Sequence, residues 1–151
     1  MGSIDRDDAQ IRKIVKDVGV IVVSVEYRLA PANPYPAGLD DCVTAYLWAL
    51  KNAKLLNTTA NQVITCGGSA GGNLALSTAL RIIDQGLGDT LKGVVAIVPI
   101  TIAPEAVPEK YKAMYLSYEE HAEHTINTAS AMKAFFGTSL PSGYGSLADS
   151  K

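Results

Sequence analysis

The chain has 151 residues, 48% of them hydrophobic and 19% charged, with a formal net charge of -2. This is the balance of a soluble globular protein and excludes an intrinsically disordered chain. With no clustered Lys/Arg stripe it excludes a nucleic-acid partner, and no apolar run approaches the ~20 residues of a membrane span.

The opening Met1-Gly2-Ser3-Ile4-Asp5 lacks the basic start and apolar run of a secretory leader, so a cytoplasmic location is expected. After the acidic stretch Asp5–Asp8, Ile11, Ile14, Val15 and Val18 recur at helical spacing. They predict an amphipathic helix that Gly19 ends. Val20–Val25 is β-branched with one serine, the pattern of a strand buried on both faces. Pro31, Pro34 and Pro36 exclude helix and central strand from Arg28 to Gly38. Asp40 and Asp41 then open a helix to about Ala53, with Val43, Leu47 and Leu50 on one face.

Asn57–Asn61 reads as a polar loop, including the formal glycosylation triplet Asn57-Thr58-Thr59. Val63–Cys66 is a short buried strand, Gly67–Gly72 a tight turn, and Asn73–Gln85 a helix stopped by Gly86 and Gly88. Val94–Val98 is a third buried strand, ended by Pro99. A looser segment with Pro104 and Pro108 leads to a last helix over Tyr118–Phe136, and the Gly/Ser/Pro-rich residues 137–151 read as a poorly ordered tail. Cys42 and Cys66 sit in apolar patterns, as buried free thiols do. His121 and His124 have no accompanying carboxylate or thiol array, so no metal site is expected. Alternating strands and helices give an α/β fold: a parallel sheet with crossover helices, in one domain over residues 1–136.

The chemistry lies in Gly67-Gly68-Ser69-Ala70-Gly71-Gly72. It contains Gly-x-Ser-x-Gly between a strand and a helix, the setting in which that motif holds a nucleophile. The sharp turn would strain Ser69 and project its hydroxyl, glycines on either side would prevent collisions, and the Ala70 N–H would face a developing oxyanion. A phosphate loop requires a lysine that is absent, and a dinucleotide fingerprint requires glycine where Ser69 stands. The remaining alternative is a glycine-rich helix start whose serine is a cap.

Tyr27-Arg28-Leu29-Ala30-Pro31, Pro34-Tyr35-Pro36-Ala37 with Asp40-Asp41, and Gly67 through Ala75 together resemble the hormone-sensitive-lipase branch of the α/β-hydrolases, in order and in spacing. The resemblance implies a partial α/β-hydrolase fold and a carboxylesterase or lipase without cofactor, acting on a small-molecule ester. Ser69 would be the catalytic nucleophile, Ala70 the oxyanion donor, and Gly67, Gly68, Gly71 and Gly72 the elbow. Arg28 is expected in a structural ion pair with Asp40 or Asp41.

Three departures accompany the resemblance. Gly68 replaces the family's usual Asp. The family's His-Gly-Gly-Gly oxyanion loop lies just before a segment like Gly2-Ser3-Ile4-Asp5. Its acid and histidine follow two further strands, and no such strands are read after Phe136. The order Ser69, Glu105, His121 is formally allowed, but His121 and His124 fall in a helical pattern and are expected to be exposed helix residues. The site is therefore expected to be incomplete, with weak or no turnover. The alternative is an inactive, truncated hydrolase acting as a binding module or a gene fragment. Self-association through the open edges of a three-stranded sheet is also expected.

Overall fold

The computed structural model describes residues 4–123 and 127–139. Helix α1 spans Ile4–Val18, with Asp5 and Asp7 in its first turn and Lys16 in its last, charges that suit the helix dipole. Gly19, at φ +73°, ends it by donating its N–H to the Val15 carbonyl. The apolar stripe of α1 stays largely open, with Val18 66% exposed.

Among the described residues the sheet has two strands, where the sequence predicts three. β1 (Val63–Gly68) and β2 (Leu91–Ile97) run parallel, with Thr65 opposite Val94 and Gly68 opposite Ile97. Val20–Val25 forms no strand, and Val20 to Val23 are about two-fifths to one-half exposed. A β-branched run becomes a strand only with a ladder partner, and this one pairs with neither β1 nor β2. The two strands that do form are not buried on both faces either. Exposure alternates along each, leaving Ile64, Cys66, Val95 and Ile97 outward. Cys66 is consequently an exposed thiol, whereas Cys42 is half-buried; both are free.

The covered face is built by two helices of matching period. Helix α2 (Ala37–Lys51) starts three residues before Asp40 and turns Leu39, Val43, Tyr46 and Leu50 inward. Tyr46 displaces the expected Leu47, which is 38% exposed. Both positions fit a helical stripe, and the Tyr46 hydroxyl bonds Thr90 Oγ1 at 2.8 Å. Helix α3 (Ala70–Asp84) buries Gly72, Ala75, Thr78, Ala79 and Ile82, a stripe at spacings of three and four. Ile82, fully buried, joins Leu39, Val43 and Tyr46 at the centre of the core. Parallel strands need a crossover between them, and α3 supplies it, packing on both strands while α2 packs on α3.

The chain divides into two compact units, Met1–Leu29 with Pro36–Ile100 and Ala30–Tyr35 with Thr101–Lys151. Among its described residues the second contains a 3-10 turn at Pro104–Ala106 and helices α4 (Glu109–Lys112), α5 (Ser117–Glu120) and α6 (Ala129–Ser139). The expected continuous helix over Tyr118–Phe136 is thus two helices. Thr128 starts the second as its N-cap, Oγ1 accepting the Ala131 N–H at 3.2 Å. Tyr118 donates its hydroxyl to the Ala129 carbonyl at 2.9 Å. Helix α6 runs past Gly137 to Ser139, and residues 140–151 of the expected tail lie outside the described residues. No helix among the described residues is long and apolar enough to cross a membrane.

Candidate active site

β1 delivers the chain into the turn, and α3 begins one residue after Ser69. Ser69 adopts φ +53°, ψ -119°, a backbone conformation that side-chain-bearing residues rarely hold and that costs about 1–3 kcal/mol. Two hydrogen bonds hold it there. Ser69 N–H donates to the Ile97 carbonyl at 2.9 Å, extending the β1–β2 ladder, and Asn73 N–H donates to the Ser69 carbonyl at 3.1 Å, opening the helix.

Ser69 occupies the N-cap position of α3, yet its side chain makes no capping hydrogen bond. A serine retained as a cap would accept an N–H from the first turn. Here Oγ is left without a partner among the described residues, on an exposed residue. Ala70, the first residue of α3, contributes one of the amides that a helix start cannot satisfy internally, beside the serine and at the positive end of the helix dipole.

The four glycines divide into two kinds. A Cβ on Gly67 would stand 2.2 Å from the Gly71 carbonyl oxygen, closer than atoms pack. On Gly72 it would meet the Gly67 and Ile97 oxygens at 3.1 and 3.3 Å and Pro99 Cα at 3.3 Å. These two are where helix and strand cross closely. At Gly71, one of the positions expected to prevent a collision, a Cβ would meet nothing within 4 Å, and at Gly68 only the Ile97 oxygen at 4.0 Å. Gly68 therefore stands where an acidic side chain has room.

The turn that follows β2 lies against the elbow. Val98 has φ +43°, and Asn73 donates its side-chain amide to the Ile100 carbonyl. Sequence reasoning overlooked Asn73 as more than a helix start. The available signal was one amide side chain ahead of the apolar Leu74-Ala75-Leu76.

Arg28 forms the expected structural ion pair, and its partner is Asp41. Nε and Nη2 grip both carboxylate oxygens at 2.8–3.1 Å, and the Arg28 backbone N–H adds a fourth hydrogen bond at 2.9 Å. These bonds from Arg28 hold the Asp41 carboxyl below its ordinary pKa. Asp40 instead faces Arg81 at 3.9 Å. Next to Asp41, burial pushes the Cys42 thiol up to about 11, with the Asp41 charge adding to the effect, so it is not a reactive thiolate.

Glu105 is exposed on the 3-10 turn, and His121 is exposed at the end of the four-residue α5, where its N–H donates to the Ser117 carbonyl. His121 thus caps a short helix and does not lie within the long one expected. His124 lies outside the described residues. No three His, Cys, Asp or Glu side chains gather in a metal-holding group among the described residues.

The family described as alpha/beta hydrolase fold matches residues 1–149. Versiconal hemiacetal acetate esterase of Aspergillus parasiticus is 47% identical over 137 residues, covering 90% of this chain and 42% of its own length. Hormone-sensitive lipase of Homo sapiens is 36% identical over 101 residues, 66% of this chain and 9% of the lipase. The crystal structure of vibralactone cyclase superposes with a TM-score of 0.87 at 32% identity, covering 93% of this chain and 42% of that one. The chain thus spans less than half the length of the relatives it matches. It belongs to the α/β-hydrolase family, in the hormone-sensitive-lipase branch.

Proposed function

We propose that Ser69 is the nucleophile of a carboxylic ester hydrolase. Oγ attacks the ester carbonyl carbon, and the oxygen of the tetrahedral intermediate lies against the Ala70 N–H. Collapse expels the alcohol and leaves the acyl group on Ser69. Water then attacks that acyl-enzyme, releasing the carboxylic acid and restoring the hydroxyl. The supporting observation is the positive-φ serine at the strand–helix junction whose Oγ is not used as a cap. The acetate ester named in the 47%-identical relative supports short-chain esters as the substrate class.

A neutral serine needs a base. Glu105 stands on a 3-10 turn and His121 at the end of the short α5, and our reading assigns neither of them to that role. In this reading no described residue acts as the histidine base, its acid partner or a further oxyanion donor. Turnover by these residues alone is accordingly slow, because what remains is the contribution of the oxyanion donor and of binding, about 10³–10⁴-fold over water in a complete oxyanion site. The test is p-nitrophenol release from p-nitrophenyl acetate by the chain beside Ser69→Ala. Release above the variant's rate supports the reading, and equal rates sink it.

A further inference from the structure

We propose that Asn73 is a positioning residue for Ser69, acting through the arch Ile97–Ile100 without touching substrate; this rests on Ser69 being the nucleophile. The arch is bonded to the elbow at both ends. Its first carbonyl, on Ile97, accepts the Ser69 N–H at 2.9 Å, and its last, on Ile100, accepts the Asn73 side-chain amide. Between them the arch runs close to Gly72, whose Cβ, if present, would be 3.3 Å from both the Ile97 oxygen and Pro99 Cα.

A carbonyl oxygen can only accept, so the nitrogen of the Asn73 amide must face Ile100. The amide oxygen is then left for the Ser77 hydroxyl, at 3.5 Å. The side chain is thus oriented by partners at both of its polar atoms.

Inside the arch, Val98 holds φ +43°. For a β-branched residue that is an outlier, and it persists only where the surroundings over-determine it. Ser69, at φ +53°, is a second such residue across the shared hydrogen bond. The two strained residues are therefore coupled: the Ile97 carbonyl that holds Ser69 precedes Val98 directly. Without the far tether at Ile100, Val98 is free to relax to negative φ. The Ile97 carbonyl then turns away, and Ser69 loses the bond that fixes its amide. An asparagine that was merely a polar helix residue would have no such effect.

Asn73→Asp keeps the shape but places a carboxylate, which cannot donate, against the Ile100 oxygen. Hydrogen exchange on the full chain at neutral pH is expected to show the Ser69 amide exchanging about ten-fold faster than in the parent, with Leu87–Leu91 amides unchanged as a control for intact folding. Where the introduced carboxyl is protonated it donates again, and the difference from the parent shrinks to about two-fold or less. For p-nitrophenyl acetate, kcat is expected to fall about ten-fold with KM held within about two-fold, since misplacement of the nucleophile is lost in the reaction step. Should the variant unfold, Asn73→Asp is measured in a Val98→Gly background. There the strain is gone, and the substitution should leave Ser69 protection unchanged. Unchanged exchange in Asn73→Asp, an unchanged kcat despite faster exchange, or equal loss of protection in the Val98→Gly background overturns the proposal. A parent with no Ser69-dependent turnover contradicts the ester-hydrolysis reading instead, and the exchange result then decides the role of Asn73 by itself.

Discussion

Val20–Val25 and Leu91–Ile97 make an instructive pair. The first is the more apolar, five β-branched residues and a serine; the second is interrupted by Lys92 and Gly93. Yet the second is a paired strand and the first is not. What separates them is company. Leu91–Ile97 lies beside β1 and beneath α3, and it passes its last carbonyl to Ser69. Hydrophobic pattern says which residues gain from burial; a ladder partner and a covering helix decide whether they get it. The elbow inherits this difference, because the bond that holds the Ser69 N–H comes from the Ile97 carbonyl on the well-partnered side.

The largest expected effect sharpens that contrast in the core. Ile82→Ala, at the fully buried centre of the cluster under the sheet, should destabilise by about 2–5 kcal/mol. Val22→Ala, in the unpaired run and 40% exposed, should cost under about 1 kcal/mol. Urea midpoints of the two variants measure the gap, and equal losses would mean that Val20–Val25 is packed as firmly as the core.

The next effect separates the glycines of the elbow. Gly67→Ala forces a methyl into the Gly71 carbonyl and should cost about 3 kcal/mol or more. Gly71→Ala meets open space and sits in a helix, so it should stabilise by about 0.5–1 kcal/mol. Thermal midpoints moving the same way for both would break the distinction between close approach and mere sequence pattern.

A smaller effect is expected at the Arg28–Asp41 pair. The Asp41 carboxyl is held below its ordinary pKa by Arg28, so its stabilising contribution is present above the ordinary carboxylate range, near pH 4, and is lost as pH falls through that range toward the lowered value. Asp41→Asn lacks this dependence. The gap in urea midpoint between parent and variant should be open at pH 7 and close toward pH 3. A gap that stays constant with pH would show that the pairing does not contribute through ionisation.

Much of this arrangement could be read from the residues. The strand–turn–helix at Gly67–Gly72 followed from glycine spacing and a serine, because few other backbones suit that string. The helices α1, α2 and α3 followed from apolar period and stop signals, to within a few residues. What could not be read depended on contacts between distant residues. Tyr46 and Leu47 are equally good stripe positions until Thr90 supplies a partner for one of them. The break before α6 turns on Thr128 capping a new helix, a local signal hidden inside an otherwise helical pattern. The bond from Asn73 to Ile100 spans 27 residues and leaves no periodic trace.

In the proposed mechanism Oγ of Ser69 is the atom that takes the acyl group. Its most direct test is peptide mapping by mass spectrometry after brief exposure of the chain to p-nitrophenyl acetate. An acetyl adduct on the Ser69 peptide, absent in Ser69→Ala and weakened in Asn73→Asp, is the predicted result. An adduct spread over lysines and tyrosines at equal levels in all three chains would contradict it.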